Sequence, residues 1–190
     1  MIMQKISLRL LLASLFFVFG VGVALIVIDF PKIEVTPEAM LVEDPEEDVV
    51  DVAIVQRVID GDTVDVLWRG DEIRLRLIGM DTPETVDPRK PVQCFGREAS
   101  QHAHDLLDGQ SVELEFDASQ GEVDKYGRIL AYILLPSREN FAEVMLRDGY
   151  AYEYTYSKPY KYQNIFKNAE QDARDSERGL WSSETCGGNR

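Results

Sequence analysis

Three short β-prone runs follow one another between tight turns, and that arrangement constrains the fold more than anything else in the chain. Val50 to Ile59 is mostly Val and Ile, and Asp60-Gly61-Asp62 supplies the first turn. Thr63 to Trp68 then alternates, with Val64 and Val66 opposite Thr63 and Asp65. Gly70-Asp71 makes the next turn, before Ile73 to Ile78. In that third run Ile73, Leu75 and Leu77 share one face, and Arg74, Arg76 and Ile78 share the other. Period-two patterning between tight turns reads as an antiparallel meander.

Beyond the meander the period changes. Ala99, Ala103 and Leu106 fall on one helical face of Arg97 to Leu107, and Gly109 ends that helix. Two more strands follow, Ser111 to Phe116 and Ile129 to Leu135, around a polar loop containing Lys125-Tyr126-Gly127-Arg128. Asn140 with Glu143 three residues on is a capping-box signature for a helix carrying Phe141, Val144 and Met145 and stopping near Gly149. A last helix is predicted from about Tyr160 to Arg178, with Tyr162, Ile165, Phe166, Ala169 and Ala173 inward and Gly179 as its stop. The expectation is a mainly β domain: a small closed antiparallel barrel with three packed helices, because an open five-stranded sheet leaves edges that need cover. The five-stranded oligonucleotide-binding barrel is one such architecture; other compact barrels and α+β sheets share the pattern.

Residues 1–30 are a separate object. Lys5 and Arg9 precede a run from Leu10 to Ile28 whose only polar member is Ser14. At about 1.5 Å per residue such a helix reaches roughly 28 Å, close to the thickness of a bilayer core. Asp29-Phe30-Pro31 follows where a signal peptidase would need small residues, so an N-terminal transmembrane signal-anchor is expected. With Lys5 and Arg9 ahead of the run, the rest of the chain faces outward, extracytoplasmic and membrane-anchored; cleavage of the segment would make it secreted. Residues 31–49 are acidic, contain Pro31, Pro37 and Pro45, and read as a linker. Residues 50–183 form the domain and 184–190 a short tail.

The formal net charge is −14, from 20 basic and 34 acidic residues, and the domain is acidic even without residues 1–49. A polyanionic partner is ordinarily met by Lys and Arg, so a nucleic-acid reading has to rest on local chemistry. Asp60-Gly61-Asp62 and Asp81-Thr82-Pro83-Glu84 place carboxylates at turn mouths. Asp60 reads as a solvated turn residue, since Asp-Gly is a common hairpin device. Asp62, Asp81 and Glu84 form a hard-oxygen cluster beside Arg74 and Arg76, which suits Ca²⁺. The only histidines, His102 and His104, lie in the first helix as surface or packing residues, so zinc has no ligand set.

Ile59-Asp60-Gly61-Asp62-Thr63-Val64, Arg76 to Thr85 and Asp124 to Tyr132 resemble the three signature blocks of the staphylococcal nuclease (thermonuclease) family. Gly96 to Ser100, the Asn140 helix, the stretch Tyr150 to Tyr162 and Leu180-Trp181-Ser182 also resemble it in order and spacing, so the likeness spans Val50 to Ser183. It implies an oligonucleotide-binding barrel and a Ca²⁺-dependent phosphodiesterase acting on DNA or RNA, with little sequence specificity and 3′-phosphate products. By motif, Ca²⁺ falls to Asp62, Asp81 and the carbonyl of Thr82. Glu84 takes the place of the residue that orients or deprotonates water, and Arg76 and Arg128 those of the catalytic arginines. Lys125, Tyr126, Tyr154 and Tyr156 take the places of substrate-binding residues. No obligate protein partner is implied, and a monomer is expected. The family's best-known members are basic, so a cleft made positive by Arg74, Arg76, Arg89, Lys90, Lys125 and Arg128 within a negative body is expected here. The alternative is a catalytically weak or inactive barrel that binds nucleic acid or protein at the membrane.

Cys94 and Cys186 lie just before the first helix and just after the last. Buried as separate thiols they would need no partner, but an outward-facing domain sits where disulfides persist. A bond between them would close roughly 90 residues, for which chain entropy gives about 4–5 kcal/mol as an upper figure. The Ser- and Gly-rich tail after Trp181 is expected to have nothing else to hold it.

Overall fold

The structure is a computed structural model that describes residues 51–89 and 91–189. Its strands are β1 (Asp51–Asp60), β2 (Thr63–Trp68), β3 (Asp71–Leu77), β4 (Met80–Asp81), β5 (Ser111–Glu115), β6 (Ile129–Leu134) and β7 (Tyr152–Glu153). Its helices are α1 (Gly96–Leu107), α2 (Phe141–Arg147) and α3 (Gln163–Asp175), followed by a 3-10 turn at Gly179–Trp181. The predicted transmembrane segment and linker lie outside the described residues. Among the described residues no helix is long and apolar enough to cross a membrane.

The meander forms as its turns dictate: β1 pairs with β2 and β2 with β3, both antiparallel. β1 also pairs with β5, and β5 with β6. The barrel closes in the order β1-β2-β3-β6-β5, which fits the oligonucleotide-binding type. One correction concerns direction: β3 and β6 run parallel, with Leu75 opposite Ile129 and Leu77 opposite Ala131. Parallel neighbours need a long crossover, and the chain between them, carrying β4, α1 and β5, provides it. β4 and β7 form a separate two-stranded ribbon beside the barrel.

Alternation builds the core. Val64, Val66, Leu75 and Leu77 fill the barrel, and Phe141, Met145 and Phe166 bring α2 and α3 onto it. The predicted helix faces need two corrections. Leu107, not Leu106, completes the fully buried stripe with Ala99 and Ala103, the i, i+4, i+8 row. In α3 the buried stripe is Phe166, Ala169 and Ala173, and Ile165 points outward; a residue adjacent to a stripe member sits about 100° around the helix from it. Asn140 caps α2 by accepting a hydrogen bond from the Ala142 N–H at 3.0 Å.

The tail is also fastened more firmly than its composition suggests. Gly188 N donates to Leu180 O and Gly187 N to Ser182 O, each at 2.8 Å. Tyr152 Oη donates to Asn189 O at 3.1 Å, and Arg174 stacks over the Trp181 ring at 3.7 Å. Cys94 and Cys186 are joined by a disulfide, with their α-carbons 6.0 Å apart.

Candidate active site

The β1–β2 turn comes up against Thr82, and Gly61 makes that approach possible: a β-carbon there would lie 2.6 Å from the Thr82 methyl. Asp62, buried at this junction, accepts from the Thr63 hydroxyl at 2.9 Å and from the Thr82 N–H at 3.2 Å. Arg76 rises from β3 into the same place. Its Nη1 donates to the carbonyls of Leu77 and Met80, at 3.0 and 2.9 Å. Its Nη2 lies 3.0 Å from Asp81 Oδ1 and 3.2 Å from Asp62 Oδ2. One guanidinium thus bridges two carboxylates.

Arg128 reaches the cluster from just before β6, the strand paired with β3. Its Nε donates to Asp124 Oδ2 at 2.7 Å, and its Nη1 to the Thr63 hydroxyl at 3.1 Å. The Thr63 hydroxyl therefore links Asp62 to Arg128. Burial alone would raise the Asp124 pKa, but hydrogen bonds from the Arg128 backbone and side chain and from Tyr126 N–H outweigh it and hold the carboxyl below the usual range. Asp124 and Thr63 are positioning residues that motif reading passes over, although Asp124 stands four residues before Arg128 across the Gly127 turn, where φ is +79°.

A cavity of about 680 Å³ opens beside these groups, lined by Arg76, Asp81, Lys125, Tyr126, Arg128, Tyr154 and Tyr156 among others. Lys125 and Arg128 both lie over the face of Tyr126, at 5.0 and 5.4 Å from the ring centroid, within cation–π range. The Tyr126 ring is 72% exposed. The opposite wall is hung on Gly79, whose carbonyl accepts from Tyr154 N–H and Tyr160 Oη. Gly79 has φ +83°, and a β-carbon would strike Tyr160 and Phe166 at 2.7 Å, so no other residue fits there.

Three expectations change. Asp60 is no solvated turn residue: it is buried, accepting from Gly61 N–H and from the Thr85 N–H and hydroxyl. Burial, with the negative charges of Asp62 and Glu84 nearby, pushes its pKa up to about 6. Arg74 does not face the cavity but pairs with Asp65, and Arg89 pairs with Asp87; Lys90 lies outside the described residues. The basic residues that line the cavity are Arg76, Lys125, Arg128 and Lys158. Glu84 is not on the cavity wall. Its Oε1 accepts from the N–H groups of Val86 and Asp87, at 2.7 and 3.0 Å.

The donor set for a cation consists of oxygens only. Asp62 and Asp81 converge on one point, now taken by the Arg76 Nη2, and the Thr82 hydroxyl beside them is buried without a hydrogen-bond partner. Two carboxylates and an unsatisfied oxygen suit a hard divalent ion. Among the described residues no group of three or more His, Cys, Asp or Glu side chains is disposed to hold a metal, so any further ligand has to be a backbone carbonyl or water. The histidines are engaged elsewhere: His102 stacks on Tyr150, and His104 bonds Asp108 within its own helix.

A family model described as "Staphylococcal nuclease homologue" matches residues 74–183. The chain belongs to the staphylococcal nuclease family. A thermonuclease of Staphylococcus hyicus is 44% identical over 127 residues, spanning 67% of this chain and 73% of that protein. A thermonuclease of Staphylococcus intermedius is 41% identical over 128 residues, 67% of this chain and 74% of that one. Endonuclease YncB of Bacillus subtilis (strain 168) is 37% identical over 127 residues, 66% of this chain and 59% of that one. The family match begins inside β3. β1 and β2 precede it, yet they complete the staphylococcal nuclease barrel here and deliver Asp62 and Thr63 to its mouth.

Proposed function

We propose that this protein is a nuclease: a Ca²⁺-dependent phosphodiesterase hydrolysing DNA or RNA with little sequence preference. The observation that carries the reading is the convergence of Arg76 and Arg128 at the rim of a cavity walled by Lys125, Tyr126, Tyr154 and Tyr156. Negative charge accumulates on phosphorus during phosphodiester hydrolysis, and two planar guanidinium forks stand at the cavity to receive it. They are Arg128, held by Asp124 and Thr63, and Arg76, whose Nη2 is released from Asp62 and Asp81 when a cation takes that point. The exposed Tyr126 face and the Tyr154–Tyr156 pair offer stacking surfaces for bases of any identity, and Lys125 a phosphate contact. Gripping phosphate and base faces instead of base edges gives weak sequence preference. Glu84, off the cavity wall with Oε1 held by its own loop, is the residue we assign to orient or deprotonate the attacking water, which its carboxylate has to swing toward the cavity to do.

Asp62, Asp81 and the Thr82 carbonyl would hold the Ca²⁺, which supplies Lewis-acid charge stabilisation to the phosphoryl oxygens. The bond cleaved is that between phosphorus and the 5′ oxygen, leaving 3′-phosphate ends. The thermonucleases and endonuclease among its relatives support the nuclease reading. Release of acid-soluble nucleotides from DNA and RNA tests it, with Ca²⁺ and with a chelator in excess. Activity that survives the chelator, or a Glu84→Gln variant as fast as wild type, would contradict the mechanism.

The placement we propose is outside the cytoplasm, anchored through residues 1–30, on the strength of the Leu10–Ile28 run behind Lys5 and Arg9. Full-length protein should stay in the membrane pellet after carbonate and leave it with detergent; recovery only of a soluble form beginning near residue 30 argues for secretion instead.

A further inference from the structure

The segment between β4 and α1, residues 82–95, carries Glu84 and is fastened at both ends. At its start Thr82 N–H donates to Asp62, and Thr85 is held by Asp60. In its middle Val86 and Val92 are about half exposed, and the Arg89 side chain is bonded to nearby Asp87. At its far end one residue returns to Glu84 twice. Gln93 Oε1 accepts from the Glu84 N–H at 2.7 Å, and Gln93 N–H donates to the Glu84 carbonyl at 3.0 Å. Both backbone groups of Glu84 are therefore taken by the residue nine positions on. The next residue, Cys94, is covalently bonded to Cys186. Cys186 is buried in a tail that is itself tied to Leu180, Ser182 and Tyr152.

We propose that Gln93 is a positioning residue for Glu84, and that the Cys94–Cys186 bond keeps Gln93 where it can act. The inference rests on Glu84 being the water-orienting group of the proposed reaction. Thr82 and Thr85 hold the chain on either side of Glu84, and Gln93 engages the N–H and carbonyl of Glu84 itself; without the Gln93 contacts the carboxylate is held less closely relative to Arg76 and Arg128. Those arginines, Lys125 and the tyrosines are placed by other elements, so substrate binding should not feel the change. The tail thereby takes part in the chemistry of a site it does not touch, through two successive links: disulfide to Gln93, and Gln93 to Glu84.

The test compares full-length wild type with Gln93→Met, Gln93→Glu, the double variant Cys94→Ser/Cys186→Ser, and Glu84→Gln, all on a single-stranded DNA substrate with Ca²⁺. Gln93→Met keeps the side-chain length but has no acceptor oxygen; Gln93→Glu keeps an acceptor. Misplacing a catalytic group by about 1 Å can cost as much as 10²-fold, so Gln93→Met should lose about tenfold or more in kcat with KM little changed. Gln93→Glu should recover most of that loss, and exchange of the Glu84 amide hydrogen should speed up in Gln93→Met and in the cysteine double variant but not in Gln93→Glu. The cysteine double variant should lose kcat in the same sense, with no further loss when Gln93→Met is added. Wild-type kcat in Gln93→Met, a loss confined to KM, or a Glu variant as slow as the Met variant overturns the role of Gln93. Wild-type kcat in a folded cysteine variant overturns the role of the disulfide, and if that variant does not fold, the Gln93 pair still decides the first link. Should Glu84→Gln itself be as active as wild type, the fault lies with the assignment of Glu84; a slow Glu84→Gln beside a normal Gln93→Met condemns this inference alone.

Discussion

Arg74 and Arg76, two residues apart on β3, belong to two acid–arginine groupings that behave differently. Within the β2–β3 ladder Asp65 lies opposite Arg74. Arg74 binds it through Nε and Nη2, and Arg57 adds a third hydrogen bond from β1. Two cations serve one buried anion, and both guanidinium stems reach solvent, Arg74 with 48% of its side chain exposed. Two positions further along β3 the ratio inverts. Arg76, 12% exposed, serves both Asp62 and Asp81, with buried Asp60 close behind. Asp and Arg make a closed ion cluster across β2 and β3 in one place, and an anion-rich one between the β1–β2 turn, β3 and β4 in the other. Asp60 and Asp62 are both buried, and buried carboxylate is costly unless cations or hydrogen bonds answer it. The cavity lined by Arg76, Asp81 and Arg128 opens at this grouping.

The largest expected effect breaks the comparison at its arginines. Arg76→Ala or Arg128→Ala should lower turnover on nucleic acid by on the order of 10²-fold or more, whereas Arg74→Ala should cleave at close to the wild-type rate. Equal losses at Arg74 and Arg76 in the same assay would erase the distinction between the two clusters. Next comes the cation itself. Calorimetric titration with Ca²⁺ should give a binding isotherm for wild type and for Asp65→Asn, and none for Asp62→Asn. Ca²⁺ at about 100 times its Kd should also add roughly 2.7 kcal/mol of stability, absent from Asp62→Asn.

Smaller effects belong to the closed cluster. Asp65→Asn should destabilise the domain by about 1–3 kcal/mol, since it withdraws the acceptor shared by two guanidinium groups, and should leave kcat unchanged; urea unfolding and the nuclease assay measure the two separately. The smallest effect is its pH dependence. Hydrogen bonding from Arg74 foremost, opposed by burial and aided by Arg57, lowers the Asp65 pKa. A lowered carboxyl pKa contributes stability that is present above the unfolded-state value and lost as pH falls through the folded-state value. The stability gap between wild type and Asp65→Asn should therefore hold at neutral pH and close as the solution is acidified below about pH 4. A gap that stays constant down to acid-induced unfolding would mean that the charge of Asp65 is not what stabilises.

Much of the barrel was legible because its strands alternate and its turns are short. Val64, Val66, Leu75 and Leu77 declare their face two residues at a time, and Asn140 announces the start of α2. The direction of β6 was not legible, because pairing across a long excursion leaves no local trace. Helix faces were read to within one residue, and the misses at Leu106 and Ile165 are neighbours of true core positions. At the site, motif order led to the residues that line the cavity, but residue type alone could not say which arginine an acid would claim. Arg74 and Arg76 look alike in sequence, and only the register of β2 against β3 sends the first to Asp65. Asp60 misled for a related reason: an Asp-Gly turn is usually open to water, and here Thr82 and Thr85 close over it. Gln93 carried no signal, because its effect lies entirely in a return contact across a loop.

Closure through the parallel β3–β6 pair has a consequence for the order in which the molecule can be made. As the chain is delivered in order from its N-terminal side, the meander of β1 to β3 is available first, with the outer edge of β1 and the outer edge of β3 both unpaired. Their partners, β5 and β6, arrive some fifty residues later. Open edges are templates for pairing with other chains, and non-local pairing of this kind is slow to reward its loop-closure entropy. The nascent meander therefore passes through a window in which it is sticky on both sides. Charged side chains along those strands, Arg57, Glu72 and Arg74 among them, are what such a waiting half-barrel needs to stay apart from its neighbours.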